Sequence, residues 1–243
     1  MLKHWKQIKL ILIISLSAIL LYSGINIGIY IFDGYTNKEL NENLQQAYHQ
    51  FDSSDTGGNE ASADDPASVP GVSEQYADRF ESLLNINKDV VGWVNIPDSQ
   101  IDYPVVQADN NEFYLNHDLK NERSSHGTVF MDYRNSSNGR DYNTVLYGHH
   151  MKDGTMFAGL SAYKDRSFYA EHAYIEYDSL EQPAKWEIFS VYVSRPGDDT
   201  PQIAFNNDEE YAQYLDRIIS RSIYKTGVDV TTDDRILTLM TCS

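Results

Sequence analysis

Apolar positions change their period more than once along the chain. From Leu10 to Phe32 they do not alternate at all: LILIISLSAILLYSGINIGIYIF runs for 23 positions without a charged residue. At about 1.5 Å per residue, a helix of that length crosses a hydrocarbon layer of about 30 Å. A cleaved signal peptide has a shorter apolar region of about 7–15 residues and a small-residue cleavage site. Here the run is longer and no A-x-A site follows, so a retained anchor is expected. Between Thr36 and Phe51, Leu40, Leu44, Ala47, Tyr48 and Phe51 fall at near-helical spacing and predict a short juxtamembrane helix. Asp52 to Val72 reads DSSDTGGNEASADDPASVPGV, a polar run that buries no apolar area and predicts a flexible linker. At Ser73 a helical pattern begins again with Tyr76, Phe80, Leu83 and Leu84.

From Val90 the period shortens. VVGWVNI, QIDYPVVQ, GTVFMDY, NTVLYGH, AYIEYD, WEIFSVYVS and ILTLMTC are β-branched and aromatic runs bounded by Gly, Pro, Asn or Asp. Seven such runs predict a mainly β barrel or sandwich. One helix interrupts them: Asn207 can cap it with Glu210 three residues on, and Tyr211, Tyr214, Leu215, Ile218 and Ile219 line one face until Gly227. The resulting organisation is a cytoplasmic N-terminus (1–9), a transmembrane anchor (10–32), a juxtamembrane helix with linker (33–72) and a folded domain (73–243).

Charge fixes an orientation for this plan. Lys3, Lys6 and Lys9 precede the span, whereas all 36 acidic residues lie at Asp33 or beyond. The positive-inside rule then keeps the N-terminus in the cytoplasm and the domain outside. Outside, 16 basic residues face 36 acidic ones, a net of −20 that excludes a nucleic-acid backbone binder.

The chain has one cysteine, Cys242, so no internal disulfide can form, and in an oxidising compartment an idle thiol is a liability. Alternation places Ile236, Thr238, Met240 and Cys242 on one face of the last strand, with Leu237, Leu239 and Thr241 on the other. A buried, inert thiol and a reactive one both fit that position. Strand NTVLYGHH carries His149 and His150 at its end, where Gly148 permits a sharp exit. No third ligand at recognisable spacing accompanies the two histidines, which argues against zinc. A thiol of reference pKa about 8.5 is mostly protonated at neutral pH, and a nearby imidazole can take its proton and later deliver one to a leaving amine. That is acyl-transfer chemistry.

These residues carry a resemblance. TLMTC (Thr238–Cys242) resembles the T-L-x-T-C signature of sortases, and YGHHM (Tyr147–Met151) resembles the strand end that bears their catalytic histidine. VVGWVNIPDSQIDYPVVQ, NNEFYLNHDL, GTVFMDYRN and YGHHMKDGTMF are similar to class B sortase sequence, as is the helix inserted before the cysteine-bearing strand. The similarity extends over residues 74–243.

The resemblance implies a closed eight-stranded β-barrel with added helices, held on the outer face of a Gram-positive cell membrane. It implies cleavage of a C-terminal sorting signal of secreted proteins after a Thr. Cys242 would form a thioester, and His149 would protonate the departing amine and then activate an amine of a peptidoglycan precursor or a pilin. No metal or organic cofactor is implied. By the same matching, Asn111, Leu115 and Thr241 would line the peptide groove, and His150 receives no role. The family also carries an arginine on the strand after the cysteine. The sequence stops at Ser243, and Arg235, seven residues before Cys242, stands about 23 Å away along an extended strand, so little turnover is expected of the polypeptide as written. Two rivals remain. One is a cell-wall cysteine peptidase, although such folds usually place Cys before His. The other is a non-catalytic binding module with a tyrosine-rich face.

Overall fold

A computed structural model describes residues 2–50, 72–137, 141–194 and 200–242. The predicted linker lies outside the described residues. Helix α1 runs unbroken over Leu2–His49, so the expected span and the juxtamembrane helix form one rod. Thr36 does not break it, because its hydroxyl bonds back to Phe32 O at 3.1 Å and Asp33 O at 3.0 Å. Along the first part of α1 the apolar side chains from Leu10 to Phe32 are exposed. Further on, Leu44 and Tyr48 are buried, and Tyr48 stacks on Trp93 with centroids 4.3 Å apart. Helix α2, Val72–Ile86, adds Phe80 and Leu83 to the same cluster, as its spacing predicts.

Seven strands follow: β1 (Val90–Asn95), β2 (Asp102–Val106), β3 (Val129–Met131), β4 (Asn143–His149), β5 (Tyr174–Ser179), β6 (Lys185–Glu187) and β7 (Ile236–Cys242). They form one sheet in the order β6-β5-β1-β2-β3-β4-β7, curled into a nearly closed barrel. The β2/β3 and β4/β7 pairs are parallel and the rest antiparallel. Inside the barrel pack Val94, Val105, Met131, Leu146, Phe157 and Tyr177. On the outer face, α1 and α2 cover Val90, Trp93 and Val106. Both faces of β1 and β2 are therefore buried, which is why their sequences read as near-continuous apolar runs. A bulge between Val90 and Gly92 resets the alternation of β1, so that Val91 and Val94 both face inward.

Two expectations change in detail. The resemblance implies eight strands, and the described residues form seven. In the run from Trp186 to Ser194 the strand ends at Glu187, with Ile188 N still donating to Ala173 O at 2.9 Å; further on, the backbone groups of Val191 are taken by the turn that follows helix α4 (Asp208–Ser220). Ser222 Oγ accepts Val191 N at 3.1 Å, and Ile223 N donates to Val191 O at 2.8 Å.

Helix α4 has the expected cap, Asn207 Oδ1 accepting Glu210 N at 2.9 Å, and buries Tyr211, Tyr214, Leu215 and Ile218. It stops at Ser220, before Gly227, and Ile219 remains 40% exposed. A fourth, short helix, α3, spans Arg166–Glu171 and is capped by Asp165.

Candidate active site

Strands β4 and β7 bring the two chemical residues together. Their parallel ladder pairs Asn143 with Ile236 and continues residue by residue to His149 with Cys242. Neighbouring strands lie about 4.8 Å apart, so residues 93 positions distant in sequence become adjacent at the same end of the sheet. Asn143 is fully buried and pins the other end. Its Oδ1 accepts Thr238 Oγ1 at 2.8 Å, and its Nδ2 donates to Gln202 O at 2.9 Å and to Tyr214 Oη at 3.2 Å.

Gly148 does not provide the sharp exit read from sequence, because β4 continues through His149. A β-carbon at Gly148 would lie 2.6 Å from Phe157 Cγ, so the glycine admits the Phe157 ring against the strand. His149 is half-buried, and its Nε2 lies 2.7 Å from Leu115 O. A carbonyl oxygen only accepts, so Nε2 carries the proton and Nδ1 holds the exchangeable lone pair.

The expected groove residues fall in different surroundings. Leu115 ends a 3-10 turn, Phe113–Leu115, and supplies the carbonyl that orients His149. Asn111 donates from Nδ2 to Asp132 Oδ2 at 3.1 Å and accepts Tyr133 N on Oδ1 at 2.9 Å. Thr241 pairs with Gly148 and alternates with Leu237 and Leu239, which pack against the barrel interior. Its hydroxyl is buried with no hydrogen-bond partner among the described residues. His150 lies near Ser161, with Nδ1 3.5 Å from Oγ. Arg235 stacks on Tyr142 at the far end of β7, 4.5 Å from the ring centroid.

Sequence reasoning missed a buried carboxylate beside this site. Asp132 is fully buried and accepts Arg134 Nε at 2.9 Å, Arg134 Nη2 at 2.8 Å and Tyr147 Oη at 2.9 Å. Burial alone would push its carboxyl up, but the bonds from Arg134, Tyr147 and Asn111 outweigh this and hold it below the usual carboxylate range. Desolvation and the Asp132 charge hold the Tyr147 phenol well above its ordinary value, so it stays a donor. The spacing of Asp132 and Arg134 in GTVFMDYRN was the only signal for this network, and it equally describes a solvated pair.

Among the described residues no three His, Cys, Asp or Glu side chains cluster so as to hold a metal ion. Two concavities, of about 640 and 300 Å³, lie elsewhere: one between α1 and the loop 116–125, the other between α1, α2 and β5/β6.

A strand-borne Cys in register with a strand-borne His at the end of a β-barrel defines a known class. Residues 94–243 match the sortase domain. Sortase B of Listeria monocytogenes is 34% identical over 224 residues, 92% of this chain and 85% of that protein. Sortase B of Staphylococcus aureus is 41% identical over 169 residues, 70% of this chain and 69% of that protein. Among solved structures, the S. aureus sortase B–substrate complex superimposes with a TM-score of 0.76 at 35% identity, covering 87% of this chain and 90% of the other. Bacillus anthracis sortase B in complex with AAEK1 gives 0.73 at 35% identity, over 88% and 92%. The chain belongs to the sortase family, in its class B branch. By that membership it is a cysteine transpeptidase that acts on sorting motifs.

Proposed function

We propose that the chain is a membrane-anchored sortase in which Cys242 is the nucleophile and His149 the proton carrier. The reading is carried by the β4/β7 register, which makes Cys242 and His149 partners at one sheet end. The Cys242 thiol passes its proton to His149 Nδ1 and its sulfur attacks the carbonyl carbon of a Thr in the sorting signal, and the C–N bond breaks. The departing amine takes a proton from His149, leaving a thioester. An acceptor amine, from a peptidoglycan precursor or a pilin, then attacks the thioester. His149 Nδ1 receives its proton, a new amide forms, and Cys242 is released as thiolate.

Nδ1 is available for both transfers because Nε2 is committed to Leu115 O. Asn111, Leu115 and Thr241 border the bound peptide in this reading. The anchor is α1, whose apolar stretch reaches a mean hydropathy of 2.2, with the lysine-bearing N-terminus inside and the catalytic domain outside.

The test uses the full chain in membranes. Cys242 is treated with a methanethiosulfonate reagent, and a peptide library ending in candidate sorting signals is screened for a covalent acyl-enzyme by mass spectrometry. The expected outcome is rapid labelling, an adduct lost in Cys242→Ala, and a slow release that an added oligoglycine amine speeds over water alone. A native Cys242 that resists the reagent refutes the enzyme reading. Release indifferent to amine would make the protein a peptidase.

A further inference from the structure

His126 is a buried histidine that the chemistry above does not use. It is 1% exposed and stands where three segments meet. Its Nε2 lies 3.0 Å from Asp153 Oδ2, in the turn after β4. Its Nδ1 faces Asp33 of α1 at 3.7 Å and Ser125 Oγ at 3.4 Å, and Asp33 in turn accepts Ser125 N at 2.7 Å. Burial alone would push the Asp153 carboxyl up, but the bonds from Thr155 and His126 outweigh this and hold it below the usual carboxylate range. An ionised carboxylate only accepts, so His126 Nε2 is the donor.

Both ends of this bond lead to His149. On one side Gly127 follows His126 at φ +60°, and a β-carbon there would lie 3.0 Å from Leu115 O and closer still to Tyr114 O. The Gly127 backbone is therefore the surface on which the Leu115 carbonyl rests. One residue on, Thr128 N donates to Tyr114 O at 3.0 Å. The Leu115 carbonyl is the acceptor that holds His149 Nε2 at 2.7 Å. On the other side, Asp153 lies four residues past His149, in a turn closed by Gly154 N donating to Met151 O at 3.2 Å. The contacts close a ring from His126 through Gly127, the Leu115 carbonyl, His149 and the turn to Asp153, and back to His126. The His126–Asp153 bond is the cross-brace of that ring. It ties the loop behind the His149 acceptor to the turn that continues from His149 itself.

Such a brace supplies orientation. A neutral imidazole exchanges its proton between two nitrogens, and the hydrogen bond made by one of them decides which form persists. Here the bond to Leu115 O leaves Nδ1 bare. Displacing that carbonyl by about 1 Å takes it beyond hydrogen-bond reach and removes the preference. From the side of α1, Asp33 and Ser125 hold the back of the His126 ring, so the brace has a fixed base.

We propose that His126 is a positioning residue for the transpeptidation chemistry: bonded to Asp153, it keeps Gly127 and the Leu115 carbonyl against His149 and so fixes the tautomer that the proton transfers require. The proposal deepens the reading of His149 as proton carrier and rests on it. His126 itself touches no substrate in this role.

The test reads the imidazoles of the full chain in detergent micelles by nitrogen-15 NMR, with labelled histidine and the His149 signals identified by their loss in His149→Gln. At about pH 8 an imidazole of reference pKa about 6.5 is neutral. There, His149 Nε2 should resonate as a protonated nitrogen and Nδ1 as a bare one. In His126→Ala and in Asp153→Ala the two signals should move together, toward the average of an imidazole that exchanges tautomers. His126→Gln keeps an N–H at similar reach and should restore their separation. A His126 that only fills space would lower Tm on removal and leave the His149 signals of the folded protein in place, and that result overturns the proposal. So does a parent protein in which His149 averages its tautomers. The Asp153 side chain is 41% exposed, so Asp153→Ala decides the matter even if His126→Ala does not fold. The pH profile of Cys242 alkylation separates this from the function itself. A profile unchanged by His149→Gln refutes the pairing of Cys242 with His149, and the proposal with it. A profile that His149→Gln shifts, beside His149 signals that withstand both alanine variants, refutes the positioning role alone.

Discussion

Replacing Gly148 by alanine tests whether Phe157 sets the end of β4, and with it the position of His149. The new β-carbon would lie 2.6 Å from Phe157 Cγ and 2.8 Å from Cδ2. Carbon atoms in contact rest at about 3.5–4.0 Å, so the overlap is roughly 1 Å. Phe157 is fully buried in the barrel core, and its ring has no route into solvent. Either the ring or the strand must move, and overpacking of this kind costs about 1–3 kcal/mol.

At about 2–4 °C per kcal/mol for a protein of this size, Tm should fall by roughly 2–12 °C. The assay is thermal unfolding of the full chain in detergent, followed by near-ultraviolet circular dichroism and paired with the alkylation rate of Cys242. Phe157→Ala alone costs about 3–5 kcal/mol. In that background the added methyl meets an emptied space, so Gly148→Ala should cost little. The double-mutant cycle then returns a coupling of about 1–3 kcal/mol. An unchanged Tm for Gly148→Ala, or an equal loss with and without the Phe157 ring, would show that this contact does not shape the strand end.

Asp132→Asn removes a buried carboxylate that binds Arg134, Tyr147 and Asn111, and should destabilise the protein by about 2–4 kcal/mol at pH 7. Because the folded Asp132 titrates below the unfolded value of about 3.9, its contribution is present above that pH and is lost as pH falls through the folded value. The Asn variant should therefore show a shallower loss of stability below about pH 4, measured by urea unfolding across pH, and an undiminished acid slope would assign the effect to other groups. Asn207→Ala deletes the cap of α4 and should lower stability by about 1 kcal/mol, with Asn207→Ser recovering most of it in the same urea titration. Asn143→Ala leaves Thr238, Gln202 O and Tyr214 Oη without their partner, and should lower the urea midpoint by an amount equal to at least about 2 kcal/mol while slowing alkylation of Cys242.

Local features of the fold were legible because the causes are local. Each β-branched run became at least part of a strand, and Asn207 with Glu210 marked where α4 starts. The sixth run marks the limit of such reading. Trp186–Ser194 has strand composition throughout, yet the strand ends at Glu187 with one further bond from Ile188 N to Ala173 O, and beyond it Ser222 and Ile223 take the polar groups of Val191. The span and the juxtamembrane helix, read as two segments, run on as one rod for a comparable reason: the Thr36 hydroxyl satisfies itself within α1. Asp132 and Arg134 stood in plain view two residues apart, but nothing in their spacing says that the carboxylate is buried and that Tyr147 reaches it. Such burial is a tertiary outcome, and composition does not encode it.

The site itself depends on a register that no short stretch specifies. A slip of one residue between β4 and β7 would set Cys242 opposite Gly148 and reverse which side chains face the core. Parallel pairing offers no hairpin turn to count from, and the two strands are separated by β5, β6 and α4. What holds the alignment is the far end. Asn143 is fully buried and its three partners come from β7, from the segment before α4 and from α4 itself, so every other register strands polar groups in the core. The reactive pair is thus aligned by a residue six positions before His149, with no part in the chemistry. For that reason Asn143→Ala should impair labelling of Cys242 even in the fraction of protein that remains folded.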